Sequence, residues 1–182
     1  MHRIEGYAIV SADGMIADSK GEMPDSLHFD ADQHFLQSSL DGAAAVIHGR
    51  HSYEGGPRAA RRKRLIVTRQ VAAVAPDSAH ANTLLWNPSG ATLEKAIEEL
   101  GATDGAIAVI GGPEVFGMFL PLYDAFHLSR AANVRIPGGL PVFTEVGPTA
   151  TPEDVLTRHG LKPGPRTDLD AGAGVTVVTW TR

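Results

Sequence analysis

The stretch AVIGGPEVFG, residues 108–117, joins an apolar run to a glycine pair, a proline and an acidic residue. Gly111 and Gly112 lack a Cβ atom, which permits unusual dihedral angles and close approach of another backbone. Pro113 suits the first position of a helix, and Glu114 suits its first turn. The stretch predicts a buried strand that turns sharply into a helix. Such a turn can hold a phosphate or another anion, or it can be a tight connection that holds nothing.

A second glycine turn lies upstream in VIHGRHSYEGG, residues 46–56. Here an apolar strand ends at Gly49, Arg50 and His51 follow, and the basic run RRKR at 61–64 precedes the next strand. Arginine side chains bind phosphate oxygens in a bidentate manner, so a ligand with several phosphates could bridge the two turns. The alternative is that these basic side chains form a solvated surface.

Apolar strand patterns alternate with helical patterns along the chain. Strands are predicted at residues 4–11, 44–48, 64–68, 83–86, 106–110, 125–129 and 174–180. Helices are predicted at residues 30–40, 92–100 and 113–120, with Thr92 and Gly101 as the caps of the second. This alternation predicts a single α/β domain, residues 1–182, with a parallel sheet and an edge strand near the C-terminus. Residues 137–165 are predicted to be long surface connections.

The composition excludes several classes of function. The 182 residues are 43% hydrophobic and 20% charged, which is typical of one globular domain. The net charge of −5 gives no general attraction to nucleic acid or to an anionic membrane. The absence of cysteine excludes disulfides and thiolate chemistry. With no signal-peptide pattern and no apolar segment near the roughly 20 residues of a membrane helix, a cytoplasmic protein is expected. The histidines show no metal-ligand spacing, so no metal is expected.

Four motifs occur in an informative order. They are Met23-Pro24, GRHSY at residues 49–53, Arg62-Lys63 before LIVT, and IGGPEVF at residues 110–116. In order and spacing they resemble the dihydrofolate reductase superfamily, in patches between about residues 7 and 143 and again in the last strand. SADGMIAD, residues 11–18, is similar to the start of the related reductase domain of riboflavin biosynthesis. The resemblance implies a three-layer α/β fold with a central, mostly parallel sheet of about eight strands flanked by helices. It also implies NADPH as cofactor and a small heterocyclic substrate.

The resemblance further implies which residues bind NADPH. The pyrophosphate is expected near the two glycine turns, at Gly49, Arg50, His51, Ser52, Ile110, Gly111, Gly112, Glu114, Val115 and Phe116. The adenosine 2′-phosphate is expected at Arg50, Thr68 and Arg69, and arginine is its usual reader. The nicotinamide is expected against Ala8, Ile9, Met15 and Ile16. The segment that runs to Met23 is expected to form a lid.

On the substrate side, the resemblance implies one buried carboxylate that hydrogen-bonds the ring and favours protonation of the imine nitrogen. Two ways of counting place this carboxylate at Asp30 or at Asp32, and the one that does not touch substrate is expected to be the helix N-cap. Phe35 and Arg62 are the expected substrate-binding residues. Arg62 matches the anchor of the folate glutamate tail, and solvated surface charge is the alternative.

Two departures from the family pattern affect the substrate pocket. Asp25 stands where dihydrofolate reductases usually carry tryptophan, and Pro141 stands where a threonine normally hydrogen-bonds the catalytic carboxylate. Three functions therefore stay open: a reductase of dihydrofolate or a related pterin, a riboflavin-pathway reductase of a ribosylaminopyrimidine phosphate, and a non-catalytic protein that binds a nucleotide or pterin. The assembly state, a homodimer included, also stays open.

Overall fold

A computed structural model describes residues 2–52 and 56–182. The strands are β1 Arg3–Ser11, β2 Met15–Ala17, β3 Ala45–Gly49, β4 Arg64–Val67, β5 Val74–Pro76, β6 Thr83–Trp86, β7 Ala106–Val109, β8 Ala125–Ala131, β9 Leu140–Pro141, β10 Lys162–Asp170 and β11 Val175–Thr181. The helices are α1 Asp30–Asp41, α2 Gly56–Ala59, α3 Leu93–Leu100, α4 Pro113–Phe119 and α5 Pro152–Arg158, and a short 3-10 helix covers Asp25–Leu27.

Nine strands form one sheet in the order β10-β11-β8-β1-β7-β3-β4-β6-β5. The neighbouring strands from β8 through β6 are paired in parallel. The pairs β6–β5, β8–β11 and β11–β10, at the two ends of the sheet, are antiparallel. The prediction of a mostly parallel sheet is confirmed, with nine strands in place of about eight. Because β8, β1, β7 and β3 are parallel neighbours, their carboxyl ends meet at one edge, where ligands of open α/β sheets usually bind.

Helices cover both faces of the sheet. Side chains alternate along the strands, so that Val46 and Tyr7 pack with Leu40 of α1 on one face. On the other face, Ile47 packs in the main core with apolar residues of α3, α4 and α5. These three layers agree with the predicted architecture.

One close approach between strands depends on a glycine. Gly6 of β1 lies beneath the fully buried Phe126 of β8. A Cβ atom at Gly6 would lie 2.3 Å from Phe126 Cδ2 and 2.9 Å from Tyr123 Cε1. The Phe126 ring also packs against the rings of Phe116 and Phe143. This part of the core therefore has no space for a side chain at Gly6.

The predicted caps of α3 are confirmed, whereas the predicted N-cap of α1 is wrong. Thr92 caps α3 by accepting a hydrogen bond from the Lys95 backbone amide, and Gly101 ends the helix in the left-handed conformation at φ 64°. The N-cap of α1 is Phe29, without a side-chain hydrogen bond, so the cap predicted for Asp30 or Asp32 is wrong. Both aspartates lie in the first turn of α1, where a negative charge interacts favourably with the helix dipole.

The region predicted as surface connections, residues 137–165, is more regular than expected. It contains β9, α5 and the start of β10. Helix α5 starts with a reciprocal pair of hydrogen bonds between Thr151 and Asp154, and it buries Val155 and Leu156 completely. The last strand is also not the edge that we expected. Strand β10 forms the edge, and β11 lies between β10 and β8.

Strand β10 is exposed along most of its length and contains Pro163 and Pro165. Its sequence, KPGPRTDLD, has no apolar run, and it pairs with β11 through shifts of register. The segment has no apolar face, so its backbone pairing with β11 is what places it in the sheet. None of the described helices is long and apolar enough to cross a membrane.

Candidate active site

The two glycine turns meet at the carboxyl ends of the adjacent strands β3 and β7. The Gly49 backbone amide donates to the Gly111 carbonyl at 2.8 Å, and the Ser52 amide donates to the Gly49 carbonyl at 3.1 Å. Gly111 has φ 121°, and the peptide bond to Gly112 is cis. Cβ atoms at Gly111 and Gly112 would lie 3.6 and 3.4 Å from Ser52 Oγ. Ser52 Oγ therefore lies directly beside the second turn, and the predicted convergence of the two turns is observed.

A cavity of about 600 Å³ opens beside these turns. It continues from the glycine turns, along the face of β1 and β8 that carries Ile9 and Ser129, to the first two turns of α1. The predicted site residues that line it are Ala8, Ile9, Ile16, Asp32, Phe35, His51, Ser52, Ile110, Gly111, Gly112 and Phe116. It is also lined by Tyr7, Ala17, Gly21, Glu22, Met23, His28, Gln33, Leu36, Gln37, His127 and Ser129. One cavity thus joins residues predicted for the cofactor with residues predicted for the substrate.

Of the two candidate carboxylates, only Asp32 lines the cavity. Its side chain lies in the first turn of α1 and is 4% exposed, whereas Asp30 is exposed and lies outside the cavity lining. Burial raises the pKa of Asp32, and a hydrogen bond from the Ser129 hydroxyl opposes this shift. A carboxyl with a raised pKa can exchange a proton nearer to neutral pH than an exposed aspartate can. The catalytic role of Asp32 stays a prediction.

Ser129 supplies the hydroxyl whose loss we expected. Pro141 lies in β9 opposite Met15, and the partner of Asp32 is Ser129, in β8 opposite Ile9 of β1. The expectation that Pro141 removes the hydroxyl next to the carboxylate is therefore wrong. Ser129 could not be found by counting along the chain, because its proximity to Asp32 depends on the pairing of β8 with β1.

Two stacked rings, Tyr7 and His127, form the cavity wall next to Phe35, and polar side chains behind them hold them in place. The Tyr7 ring stacks on the His127 ring at 4.5 Å between centroids, and the Tyr7 hydroxyl donates to Glu5 Oε2 at 2.7 Å. His127 Nδ1 and Thr179 Oγ1 are 3.0 Å apart. Burial lowers the pKa of His127 and raises the pKa of Tyr7. Both rings are therefore neutral at neutral pH, and they present a flat aromatic wall.

Arg62 contacts α1 and lies outside the cavity lining. Its Nη2 atom lies 2.5 Å from Asp41 Oδ1, and it donates to Gln37 Oε1 at 2.9 Å and to the Gln37 carbonyl at 3.3 Å. Its side chain is 7% exposed, so the alternative of a solvated surface charge does not describe it. Gln37 itself lines the cavity, so Arg62 lies behind the cavity wall and contacts it through Gln37.

The residues predicted for the 2′-phosphate lie beyond the glycine turns. Arg50 and Arg69 are exposed and follow the adjacent parallel strands β3 and β4, whereas Thr68 is buried. The Thr68 hydroxyl accepts a hydrogen bond from the Gln70 amide at 3.1 Å. The strand pairing brings these residues to one edge of the sheet, but none of them lines the cavity.

The remaining predicted residues support the site or lie outside it. Met15 packs against the core, Val115 is buried beneath Gly49, and Glu114 is exposed in the first turn of α4. Tyr53, the last residue of the GRHSY motif, lies outside the described residues. Gly49 contributes its backbone to the meeting of the turns and does not line the cavity.

Periodicity could have identified several lining residues that the sequence analysis missed. Leu36 follows Asp32 by four positions and Gln37 follows Gln33 by four, so the members of each pair are neighbours on the surface of α1. Tyr7 precedes Ile9 by two positions in β1, and His127 precedes Ser129 by two in β8, so each pair shares a sheet face.

The SADG motif has a structural role in this chain. Ser11 Oγ donates to Asp13 Oδ1 at 2.5 Å and accepts from the Met15 amide at 3.0 Å. The Ile136 amide donates to both carboxyl oxygens of Asp13, at 3.1 and 3.2 Å. The motif thus connects the end of β1 to the loop before β9. Because these contacts are internal, the motif does not by itself distinguish one substrate from another.

Comparison with known proteins identifies relatives of this arrangement. Residues 6–149 match the family model described as dihydrofolate reductase, whereas no curated protein matches the chain. A solved dihydrofolate reductase from Enterococcus faecalis, complexed with NADP(H) and RAB-propyl, is similar with a TM-score of 0.68 and 15% identity, covering 99% of this chain and 96% of that one.

Two further solved structures are related to riboflavin biosynthesis. A putative riboflavin biosynthesis protein from Shewanella sp. PV-4 is similar with a TM-score of 0.65 and 20% identity, covering 99% of this chain and 98% of that one. The diaminohydroxyphosphoribosylaminopyrimidine deaminase/5-amino-6-(5-phosphoribosylamino)uracil reductase from Thermotoga maritima has a TM-score of 0.67 and 15% identity, with 99% of this chain covered. The present chain spans 56% of that protein. At these identities the likeness shows a shared fold.

Proposed function

The chain belongs to the dihydrofolate reductase family, and on this premise we propose that it is an NADPH-dependent reductase of dihydrofolate or a related pterin. The observation that carries the proposal is the single cavity of about 600 Å³, which is lined both by the glycine turns and by the buried carboxyl of Asp32. Transfer of a hydride requires cofactor and substrate to lie next to each other, away from water.

The residues of the glycine turns fit NADPH. A side chain at Gly111 would approach the Phe116 ring to 3.1 Å, and one at Gly112 would enter the space beside Ser52 Oγ. Without these side chains, the turn leaves its backbone open to a pyrophosphate, with Ser52 and His51 beside it. Ala8, Ile9 and Ile16 would hold the nicotinamide in the apolar part of the cavity. The cofactor, when bound, supplies a hydride to a carbon of the substrate ring.

The side chains at the other end of the cavity orient the substrate and handle the proton. Asp32 hydrogen-bonds the ring of the substrate and, in its protonated form, supplies the proton that the adjacent imine nitrogen receives. The Ser129 hydroxyl donates to Asp32 and thereby holds the carboxyl in one orientation. Phe35 and Ile9 exclude water from the ring, which strengthens the hydrogen bonds to Asp32.

Arg50 and Arg69 are predicted to distinguish NADPH from NADH. We expect the double variant Arg50→Gln/Arg69→Gln to weaken NADPH binding about tenfold or more, with NADH binding unchanged, because only NADPH carries the 2′-phosphate. Both side chains are exposed, so the fold is expected to be unaffected. Calorimetric titration with both cofactors measures the ratio of the NADPH and NADH affinities. Arg166→Gln, which removes an exposed arginine from strand β10, is the matched control. An equal loss for both cofactors would contradict the assignment.

The proposed function is tested by two measurements on one sample. Calorimetry gives the affinities for NADPH and NADH, and the decrease of NADPH absorbance after addition of dihydrofolate gives turnover. We expect NADPH to bind more tightly than NADH and dihydrofolate to be reduced. Oxidation only with a ribosylaminopyrimidine phosphate would instead assign the riboflavin-pathway activity. Binding without oxidation of either substrate would assign a non-catalytic binding protein, and absence of NADPH binding would overturn the enzyme proposal.

A further inference from the structure

Arg62 lies behind the cavity wall at the substrate end, and its charge is paired with the carboxylate of Asp41. One nitrogen, Nη2, lies 2.5 Å from Asp41 Oδ1 and donates to Gln37, a residue of the cavity wall. The Arg62 side chain is 7% exposed, so this contact is largely removed from water on the arginine side. A substrate carboxylate that approached this nitrogen would have to displace the Asp41 carboxylate.

Asp41 remains ionised in this contact. The hydrogen bond from Arg62 lowers the pKa of Asp41 below its ordinary value, and Arg58 Nη1 lies 3.5 Å from the other carboxyl oxygen. Asp41 is also the last residue of α1, where a negative charge interacts unfavourably with the helix dipole. Its contribution to the structure therefore comes from the contact with arginine and not from the stability of α1.

The cavity wall itself offers little positive charge. The described lining residues include two carboxyls, Asp32 and Glu22, two amides, Gln33 and Gln37, and three histidines, His28, His51 and His127, but no lysine and no arginine. Burial lowers the pKa of His127, so that its ring is neutral at neutral pH. An anionic substituent at the substrate end would meet carboxylates, together with an arginine that already holds Asp41.

We propose that the substrate end of the cavity does not recognise an anionic side chain on its pterin-type substrate, and that Asp41 causes this by holding Arg62. The inference rests on the proposed function, because it assigns the class of substrate for the same cavity. Asp41 acts through Arg62 and does not contact the reacting atoms. It is a specificity-determining residue at the far end of α1 from Asp32.

The test compares two substrates that share the ring and differ in the tail, 7,8-dihydrofolate and 6-methyl-7,8-dihydropterin. In the wild-type protein we expect kcat/KM for the two to agree within about threefold. Asp41→Asn is expected to shift the ratio about tenfold toward dihydrofolate by lowering its KM, with kcat unchanged, because charge-assisted hydrogen bonds to Arg62 become available. Glu98→Gln, which removes an exposed negative charge from α3, is expected to leave the ratio unchanged.

A preference for dihydrofolate above threefold in the wild-type protein, or an unchanged ratio in Asp41→Asn, would overturn the inference and leave the proposed function intact. If neither compound is reduced, the proposed function fails, and the affinities for folate and 6-methylpterin, measured by calorimetry in the same variants, test the inference separately. Affinities within threefold in the wild-type protein, with tighter folate binding in Asp41→Asn, would support it. More than threefold tighter folate binding by the wild-type protein, or no binding of either compound, would overturn it.

Discussion

Asp32→Asn is expected to lower kcat/KM by about 10²- to 10⁴-fold, the range that a positioned acid or base contributes. The amide keeps the shape of the side chain and can still accept the Ser129 hydrogen bond, but it cannot exchange a proton with the substrate. Burial raises the pKa of Asp32, so its protonated form persists to a higher pH than in an exposed aspartate. We therefore expect the wild-type rate to fall as the pH rises through this raised pKa, and Asp32→Asn to lack this dependence.

The same substitution is expected to stabilise the fold. A group whose pKa is raised by burial is less favourable in its charged form in the folded state than in the unfolded state, so ionised Asp32 opposes folding above its ordinary pKa. Removing the charge should therefore raise the melting temperature at neutral pH. Low activity with a raised melting temperature separates a catalytic loss from a folding defect.

Asp30→Asn is the matched comparison for this experiment. Asp30 lies two residues earlier in the same helical turn, is exposed, and is absent from the cavity lining. We expect its kcat/KM to stay within about twofold of the wild-type value, as for most exposed positions. Unchanged rates in both variants would contradict the assignment of the carboxylate. A large loss in Asp30→Asn alone would mean that the cavity closes differently around the substrate.

Gly6→Ala is expected to cause the largest loss of stability, about 3 kcal/mol or more, at the upper end of the cost of overpacking. The added Cβ atom would lie 2.3 Å from Phe126 Cδ2, closer than carbon atoms approach. The ring cannot move away easily, because it is fully buried and packs against Phe116 and Phe143. A decrease of about 10 °C in the melting temperature, measured by calorimetry or circular dichroism, is the expected result.

Gly117→Ala provides the control for this loss. Gly117 lies in α4, and an added Cβ atom would have no neighbour within 4 Å. Because alanine favours the helix over glycine, we expect an unchanged or slightly higher melting temperature. A melting temperature of Gly6→Ala within about 2 °C of the wild-type value would show that β1 and β8 can separate enough to hold a methyl group. The cavity wall formed by Tyr7 and His127 would then be adaptable too.

The sequence predicts well those features that depend on neighbours along the chain. The glycine turn at 111–112, the Thr92 cap and the strands of the parallel sheet were all predicted because each depends on a short run of residues. The contacts of Arg62 with Gln37 and Asp41 of α1 were not predicted, and neither was the position of Ser129 beside Asp32. Both depend on contacts between elements, α1 with Arg62 in one case and β8 with β1 in the other. Strand β10 was missed because it lacks an apolar pattern.

Both outer edges of the nine-stranded sheet end in strands that contain proline. Pro76 ends the short strand β5, and Pro163 and Pro165 interrupt the longer edge β10. Proline lacks the backbone N–H that pairing with a further strand requires, and the register shifts of β10 disturb the edge as well. The sheet is therefore protected at both ends against addition of a strand from a second molecule. If copies of the chain associate, they are expected to do so through side-chain surfaces, and growth into β-sheet aggregates is disfavoured.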